Sequence, residues 1–306
     1  MFDIIGDIHG HADELKELLQ KLGYSSTNGA YKHPNNRKVV FLGDYIDRGP
    51  KIRETLHIVK DMCDAGNAYA IMGNHEFNAI CFHTLDSENG GYYRKHGISE
   101  IIQHIETLKD FQKYPEELYD VFLPWFHTLP IFLEFDLFRV VHACWDDKQV
   151  EWLKENNIYT IENGVKKISD TILAMYAAKN TEAFTVLEEL LKGKEYELPA
   201  DHEFIDPYGI KRQNARIKWF HSVHDRNYHR DVFLGVNEVF GNVPLSDELK
   251  QELHSYESEI TVFFGHYWLE GKPVDPNSNS ICLDYSVAKK GHLVGYRFDT
   301  KEFVIV

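Results

Sequence analysis

Gly43-Asp44-Tyr45-Ile46-Asp47-Arg48-Gly49 follows directly on the apolar run Lys38 to Leu42, and this succession decides the fold. A short β-prone run that stops at Gly-Asp reads as a buried strand delivering a carboxylate at its end. Two neighbouring stretches repeat the plan. Residues 2–6 lead into Asp7-Ile8-His9-Gly10, and Ala68 to Met72 lead into Gly73-Asn74-His75-Glu76. Helical spacing fills the intervals. Leu15, Leu18, Leu19 and Leu22 fall at i, i+3, i+4 and i+7 before Gly23, and Ile52 to Ala65 carries Leu56, Val59 and Cys63 on one face before Gly66. Strand, helix, strand, helix, strand predicts βαβ units and a largely parallel sheet.

Working outward, residues 97–127 and 147–193 are rich in Glu, Lys, Leu and Ala and read as helices. Between them, Ile131 to Phe135 and Phe138 to Val141 read as paired strands around a turn at Asp136. Asp206-Pro207-Tyr208-Gly209 is a turn signal between two short strand-like runs. Ile260 to Phe264, Ile281 to Asp284, Leu293 to Phe298 and Phe303 to Val306 return to strands. The expectation is one α/β domain over residues 1–306, its sheets built from both ends of the chain. Helical insertions are expected at approximately 80–130 and 147–225.

Two later strands also end in metal-capable residues: 138–141 lead to His142, and 260–264 lead to Gly265-His266. Sites in open α/β sheets form beyond the carboxyl ends of strands. If the five strands share one edge or two facing edges, their clusters meet in one crevice. Asp, Asn and His offer oxygen and imidazole without thiolate, which favours manganese, iron or zinc over a soft metal. A pair of such ions can clamp an in-line displacement at phosphorus.

Asp-x-His, Gly-Asp-x-x-Asp-Arg-Gly, Gly-Asn-His-Glu, a later His after an apolar strand and a final Gly-His resemble the calcineurin-like metallophosphoesterases. Within them the chain is similar to the phosphoprotein-phosphatase branch, which holds Ser/Thr phosphatases and the PrpE-like bis(nucleosyl)-tetraphosphatases. The run Asp3-Ile4-Ile5-Gly6-Asp7-Ile8-His9-Gly10 and the later Phe264-Gly265-His266 most resemble the PrpE-like members. The resemblance implies a β-sandwich of two mixed sheets flanked by helices. It also implies two divalent metals, manganese first with iron or zinc as alternatives. Asp7, His9 and Asp44 would hold one ion; Asp44 would bridge to a second, completed by Asn74, His142 and His266. His75 would give a proton to the leaving group, Asp47 would orient it, and Arg48 would hold phosphoryl oxygens. The nucleophile would be a metal-bridging hydroxide. Broader members carry Gly-His-x-His at the last motif; here the run is Gly265-His266-Tyr267-Trp268, which is in keeping with the phosphatase branch.

The implied activity is hydrolysis of a phosphoester or phosphoanhydride. The substrate would be a dinucleoside polyphosphate, with a phosphoprotein as the alternative. A non-catalytic metal-binding regulator and a nucleic-acid-processing enzyme are the rivals from other classes. Thirty-three basic against 48 acidic residues leave a net charge of −15, which disfavours long polyanions and anionic membranes. Two divalent ions would outweigh the carboxylates of Asp7 and Asp44 and reverse that sign locally. Cys63, Cys81, Cys144 and Cys282 form no C-x-x-C pair, and no leader or membrane span is apparent, so a reducing cytoplasm is expected. Arg216, beside Trp219, loosely resembles the family's second phosphate-binding Arg. Tyr285 and Lys290 are expected to be structural, as are His221, His224 and His229, the alternative for the three histidines being a further metal site.

Overall fold

The computed structural model describes residues 1–26, 29–162, 164–198, 204–205, 211–221, 226–253, 255–273 and 279–306. The predicted βαβαβ opening is present: β1 (Phe2–Ile5), α1 (Ala12–Lys21), β2 (Lys38–Phe41), α2 (Ile52–Asp64) and β3 (Ala68–Ala70), followed by α3 (Asn74–His83). β1, β2 and β3 run parallel, with Ile4 opposite Val40 and Val40 opposite Tyr69. The second pair of core strands is β4 (Phe132–Glu134) and β5 (Phe138–Val141), an antiparallel hairpin. The last stretch supplies β6 (Thr261–Phe264), β7 (Ser280–Cys282), β8 (Asp284–Tyr285), β9 (His292–Arg297) and β10 (Glu302–Ile305).

These strands make two mixed sheets. The first runs β8-β9-β1-β2-β3, with β10 also paired to β9; the second runs β7-β6-β5-β4. β5, β6 and β7 are parallel to one another. Alternation along each strand divides the apolar residues between two cores. Ile4, Val40 and Val294 of the first sheet meet Phe138, Val140 and Phe263 of the second, so the sheets pack face to face. Ile5, Val39 and Phe41 point the other way, onto Leu15, Leu18, Leu56 and Val59 of the helices. The architecture is thus the expected α/β sandwich of two mixed sheets flanked by helices.

A buried ion-paired staple closes the first sheet. Asp3 on β1 accepts from Arg37 at 2.8 and 2.9 Å and from Tyr24 Oη at 2.9 Å, and Arg297 on β9 lies 3.4 Å away. An Asp facing the helices is tolerated there because donors meet both of its oxygens.

The middle of the chain departs from the helical expectation. Residues 147–193 do contain helices Asp147–Glu155, Asp170–Ala178 and Glu182–Lys192, but Tyr159–Glu162 and Val165–Ile168 form an antiparallel hairpin between them. Tyr159, Thr160 and Ile161 are strand formers, and Gly164 turns with φ +80, so local preference outweighed the average composition. Glu195–Glu197, Asn214–Ile217 and Phe233–Leu234 add a three-stranded sheet, so the second insertion is mixed rather than helical. The run Phe204–Ile205 pairs with Lys211–Arg212, flanking the expected turn, whose residues 206–209 lie outside the described residues. Among the described residues no helix is long and apolar enough to cross a membrane.

Candidate metal centre

The carboxyl ends of β1, β2 and β3 in one sheet and of β5 and β6 in the other open on the same place. Eight of the nine expected side chains are buried there: Asp7, His9, Asp44, Asp47, Asn74, His75, His142 and His266. Arg48 alone is exposed, with its guanidinium 3.5 Å from His75 Nε2.

Asp44 is central. Its Oδ2 lies 3.5 Å from His9 Nε2 and 3.9 Å from His75 Nε2, while its Oδ1 lies 3.4 Å from His142 Nε2 and accepts from the His75 backbone N–H at 3.0 Å. His142 Nε2 is also 3.1 Å from Asn74 Oδ1. The ring orientations are set from behind. His9 Nδ1–H donates to Ile46 O at 2.9 Å and His142 Nδ1–H donates to Leu42 O at 2.8 Å, which turns both Nε2 atoms inward. Among the described residues, two groups of three could each hold a metal ion, His9 with Asp44 and His75, and Asp44 with His142 and His266.

The donor set fits divalent ions for a further reason. Asp7 accepts the His266 backbone N–H at 3.0 Å through Oδ2, but among the described residues its buried Oδ1 has no hydrogen-bond partner, and neither has His266 Nε2. Burial, then the neighbouring Asp284, raises the Asp7 pKa, and burial raises that of Asp284 itself. Burial works against protonating His142, but Asp44 and Asp7 outweigh it and push its pKa up to about 10. A buried carboxylate oxygen and an imidazole nitrogen left without hydrogen-bond partners, in surroundings that draw positive charge onto His142, are what a cation satisfies.

Asp7 belongs to neither group of three, although its charge reaches Asp44 and His142. His75 belongs to one of them, yet its Nδ1–H is engaged by Asp47 Oδ2 at 2.5 Å. Burial opposes ionisation of Asp47, but hydrogen bonds from His104 and His75 overcome it and hold the carboxyl well below its usual range.

The backbone here is bent into unusual shapes. His9, Asp44, Asp47, Arg48 and His266 all have positive φ, between 46 and 70. Such residues cost roughly 1–3 kcal/mol each and persist only where surroundings insist on them. Glu76 is one reason they persist. Its carboxylate accepts the backbone N–H groups of Gly73, Asp44, Tyr45 and Ile46 at 2.8–3.3 Å. Burial, then Asp44, pushes its pKa up to about 7. Gly73 is required for a different reason: a Cβ there would overlap the Asp44 backbone N and carboxylate.

Four supporting residues escaped the sequence reading of roles. Glu76 lay in a quoted motif, so its position was visible and its work was not. His104 and Thr107, both on Asp47, come from the helix Ile98–Asp110, where nothing in the sequence marks them. Asp284 accepts from the backbone N–H groups of Trp268 and Ser286 at 2.8 and 2.9 Å, tying the strand after Cys282 to the loop after His266. Its only sequence signal is a carboxylate ending an apolar run.

Of the other candidates, Arg216 comes near. Its charge helps lower the His266 pKa after burial, and its guanidinium lies 5.9 Å from the Trp268 ring. Tyr285 is buried in the core between the sheets, and Lys290 is exposed at φ +66. His221 Nδ1–H donates to Asp231 O and His229 packs on Phe240, while His224 lies outside the described residues.

The profile of the calcineurin-like phosphoesterase family matches residues 1–267. A bis(5′-nucleosyl)-tetraphosphatase PrpE [asymmetrical] of Halalkalibacterium halodurans is 36% identical over 134 residues, 42% of this chain and 52% of that protein. Its counterpart in Bacillus subtilis is 33% identical over 132 residues, 43% of this chain and 51% of that one. The chain thus spans about half the length of the curated relatives it matches. The solved structure of a cold-active protein-tyrosine phosphatase of a psychrophile Shewanella aligns with 99% of this chain and 76% of its own at 17% identity, with a TM-score of 0.48.

Proposed function

The chain belongs to the calcineurin-like phosphoesterases, hydrolases built around a binuclear divalent metal centre, and from that premise we propose that it is a two-metal phosphoesterase acting on dinucleoside polyphosphates in the cytoplasm. The observation that carries the reading is Asp44 shared between two ligand groups, with the His75–Asp47 pair beside them. In this reading Asp7, His9 and Asp44 hold one ion, and Asp44, Asn74, His142 and His266 hold the other. Divalent ions bound there, manganese first, would supply positive charge to phosphoryl oxygens and acidify bound water. Arg48, exposed at the mouth, binds phosphoryl oxygens through its planar fork. Asp47 keeps the His75 Nδ1 hydrogen in place, so the transferable proton is on Nε2. The PrpE relatives support the nucleotide substrate, and the four free cysteines support a reducing compartment. The first core sheet joins strands from both ends of the chain, and the second pairs mid-chain strands with later ones, which supports reading residues 1–306 as a single domain with insertions.

One observation favours the phosphoprotein alternative. A nucleotide leaves as a stabilised phosphate anion and needs little protonation, whereas a serine or threonine alkoxide needs a proton. A buried, well-braced acid at His75 is of most use for the second. Manganese-loaded protein assayed on diadenosine tetraphosphate and on a phosphoserine peptide separates the two. Faster turnover of the dinucleotide is expected; turnover of the peptide alone replaces the substrate assignment, and turnover of neither refutes the enzyme.

A further inference from the structure

Two side chains of the helix Ile98–Asp110 end on the candidate acid. His104 and Thr107 stand three residues apart on one helical face and are both buried. Thr107 Oγ1 donates to Asp47 Oδ1 at 2.5 Å and accepts from the Asp47 backbone N–H at 3.1 Å. His104 Nδ1–H donates to the same Oδ1 at 2.8 Å. The Asp47 carboxylate is therefore divided: Oδ2 receives His75, and Oδ1 is anchored to the helix.

The series continues away from the site. His104 Nε2 lies 3.1 Å from His83 Nε2, and Tyr119 Oη lies 3.3 Å from His83 Nδ1. Two facing imidazole nitrogens need one donor and one acceptor. The carboxylate can only accept, so His104 carries a hydrogen on Nδ1, and as a neutral imidazole it presents a lone pair at Nε2. His83 then carries its hydrogen on Nε2, and its Nδ1 accepts the Tyr119 hydroxyl. Burial, with His104 and His96 beside it, pushes the His83 pKa down to about 4, so His83 is neutral at neutral pH. Each hydrogen in the series points towards Asp47, and neither tautomer is left free. This network meets His75 only at Nδ1. It cannot resupply a proton lost from Nε2, so its effect on His75 is one of orientation.

We infer that His104 is a positioning residue for His75: with its Nδ1 hydrogen held on the Asp47 carboxylate and its far side packed against His83, it ties Asp47 Oδ1 to the helix and so fixes the direction in which His75 Nε2 offers its proton to the leaving oxygen. The inference rests on His75 being the proton donor, the proton passing from Nε2 to the leaving oxygen as the P–O bond breaks. Leaving-group dependence tests it, because p-nitrophenolate departs unaided while phenolate needs the proton.

His104→Leu is expected to lower kcat on phenyl phosphate about tenfold and on p-nitrophenyl phosphate less than about threefold, with KM and bound metal as in the wild type. His104→Asn, whose amide nitrogen falls where Nδ1 stood, is expected to recover kcat on phenyl phosphate to within about threefold, and His104→Gln is not. Should the leucine variant fail to fold, the Asn and Gln pair carries the same comparison. Equal losses on the two esters, no loss on either, or equal activity of Asn and Gln variants would overturn the positioning role. A wild type inert on both esters moves the same comparison to the phosphoserine peptide and diadenosine tetraphosphate, which differ in the same need for a proton, and inertness on all four overturns the phosphoesterase reading itself.

Discussion

Asp47 is approached from two sides that hold it by different means. On one side, the ends of β1, β2 and β3 place His9, Asp44 and His75 through the main chain, with positive φ at His9, Asp44, Asp47 and Arg48 and a carboxylate, Glu76, clamping the N–H groups. On the other, the helix Ile98–Asp110 keeps ordinary geometry and reaches in with side chains alone. Groups that must stand at fixed separation are carried by stiff backbone. Groups that only brace another residue can be supplied by side chains on a packed helix. The first arrangement needs a particular short run of residues; the second needs only a helix docked at the right height.

The comparison breaks hardest at Asp44. Asp44→Asn is expected to empty or weaken both metal positions and to cut turnover on the order of 10³-fold, as loss of a site's main electrostatic element does. Metal analysis showing full occupancy would refute the shared bridge. His75→Ala is expected to lower kcat by about 10²–10⁴-fold while bound metal stays nearly unchanged. Loss of an ion instead would reassign His75 to the group it forms with His9 and Asp44.

Two milder changes separate backbone from side-chain support. Gly73→Ala forces a Cβ into the Asp44 main chain and carboxylate, and is expected to cost about 1–3 kcal/mol of stability, seen as a lower Tm together with lost activity. Thr107→Val removes one donor from Asp47 Oδ1 and one acceptor from its N–H, and is expected to lower kcat about threefold to tenfold, in line with a single hydrogen bond. If the valine variant lost as much stability and activity as the Gly73 variant, the distinction drawn between the two sides would fail.

The opening βαβαβ segment was legible because its information is local. Leu15, Leu18 and Leu19 repeat at helical spacing, the strands are short apolar runs, and Gly-Asp or Gly-Asn stops each one. The pairing of Phe132–Glu134 with Phe138–Val141 was legible for the same reason, since only a short turn separates the strands. The second insertion was misread where averages hid the local pattern: a Glu- and Lys-rich region contained Tyr159-Thr160-Ile161, which pairs as a strand.

His142 and His266 sat between these cases. Each follows an apolar strand, yet only the parallel pairing of β5 with β6, and the stacking of their sheet on the first, brings His142 within 3.4 Å of Asp44. The sequence by itself determined the residue types, their order and the strand ends that deliver them, because those follow from period, turn chemistry and composition over a few neighbours. Tertiary structure alone decided that two strand ends from another sheet would close the cluster. It also decided that His104 would brace Asp47 from 57 residues away and that Asp284 would tie down the loop after His266. Those contacts depend on how faces pack, and a helix carrying His and Thr three residues apart reads the same whether that face meets water or a carboxylate.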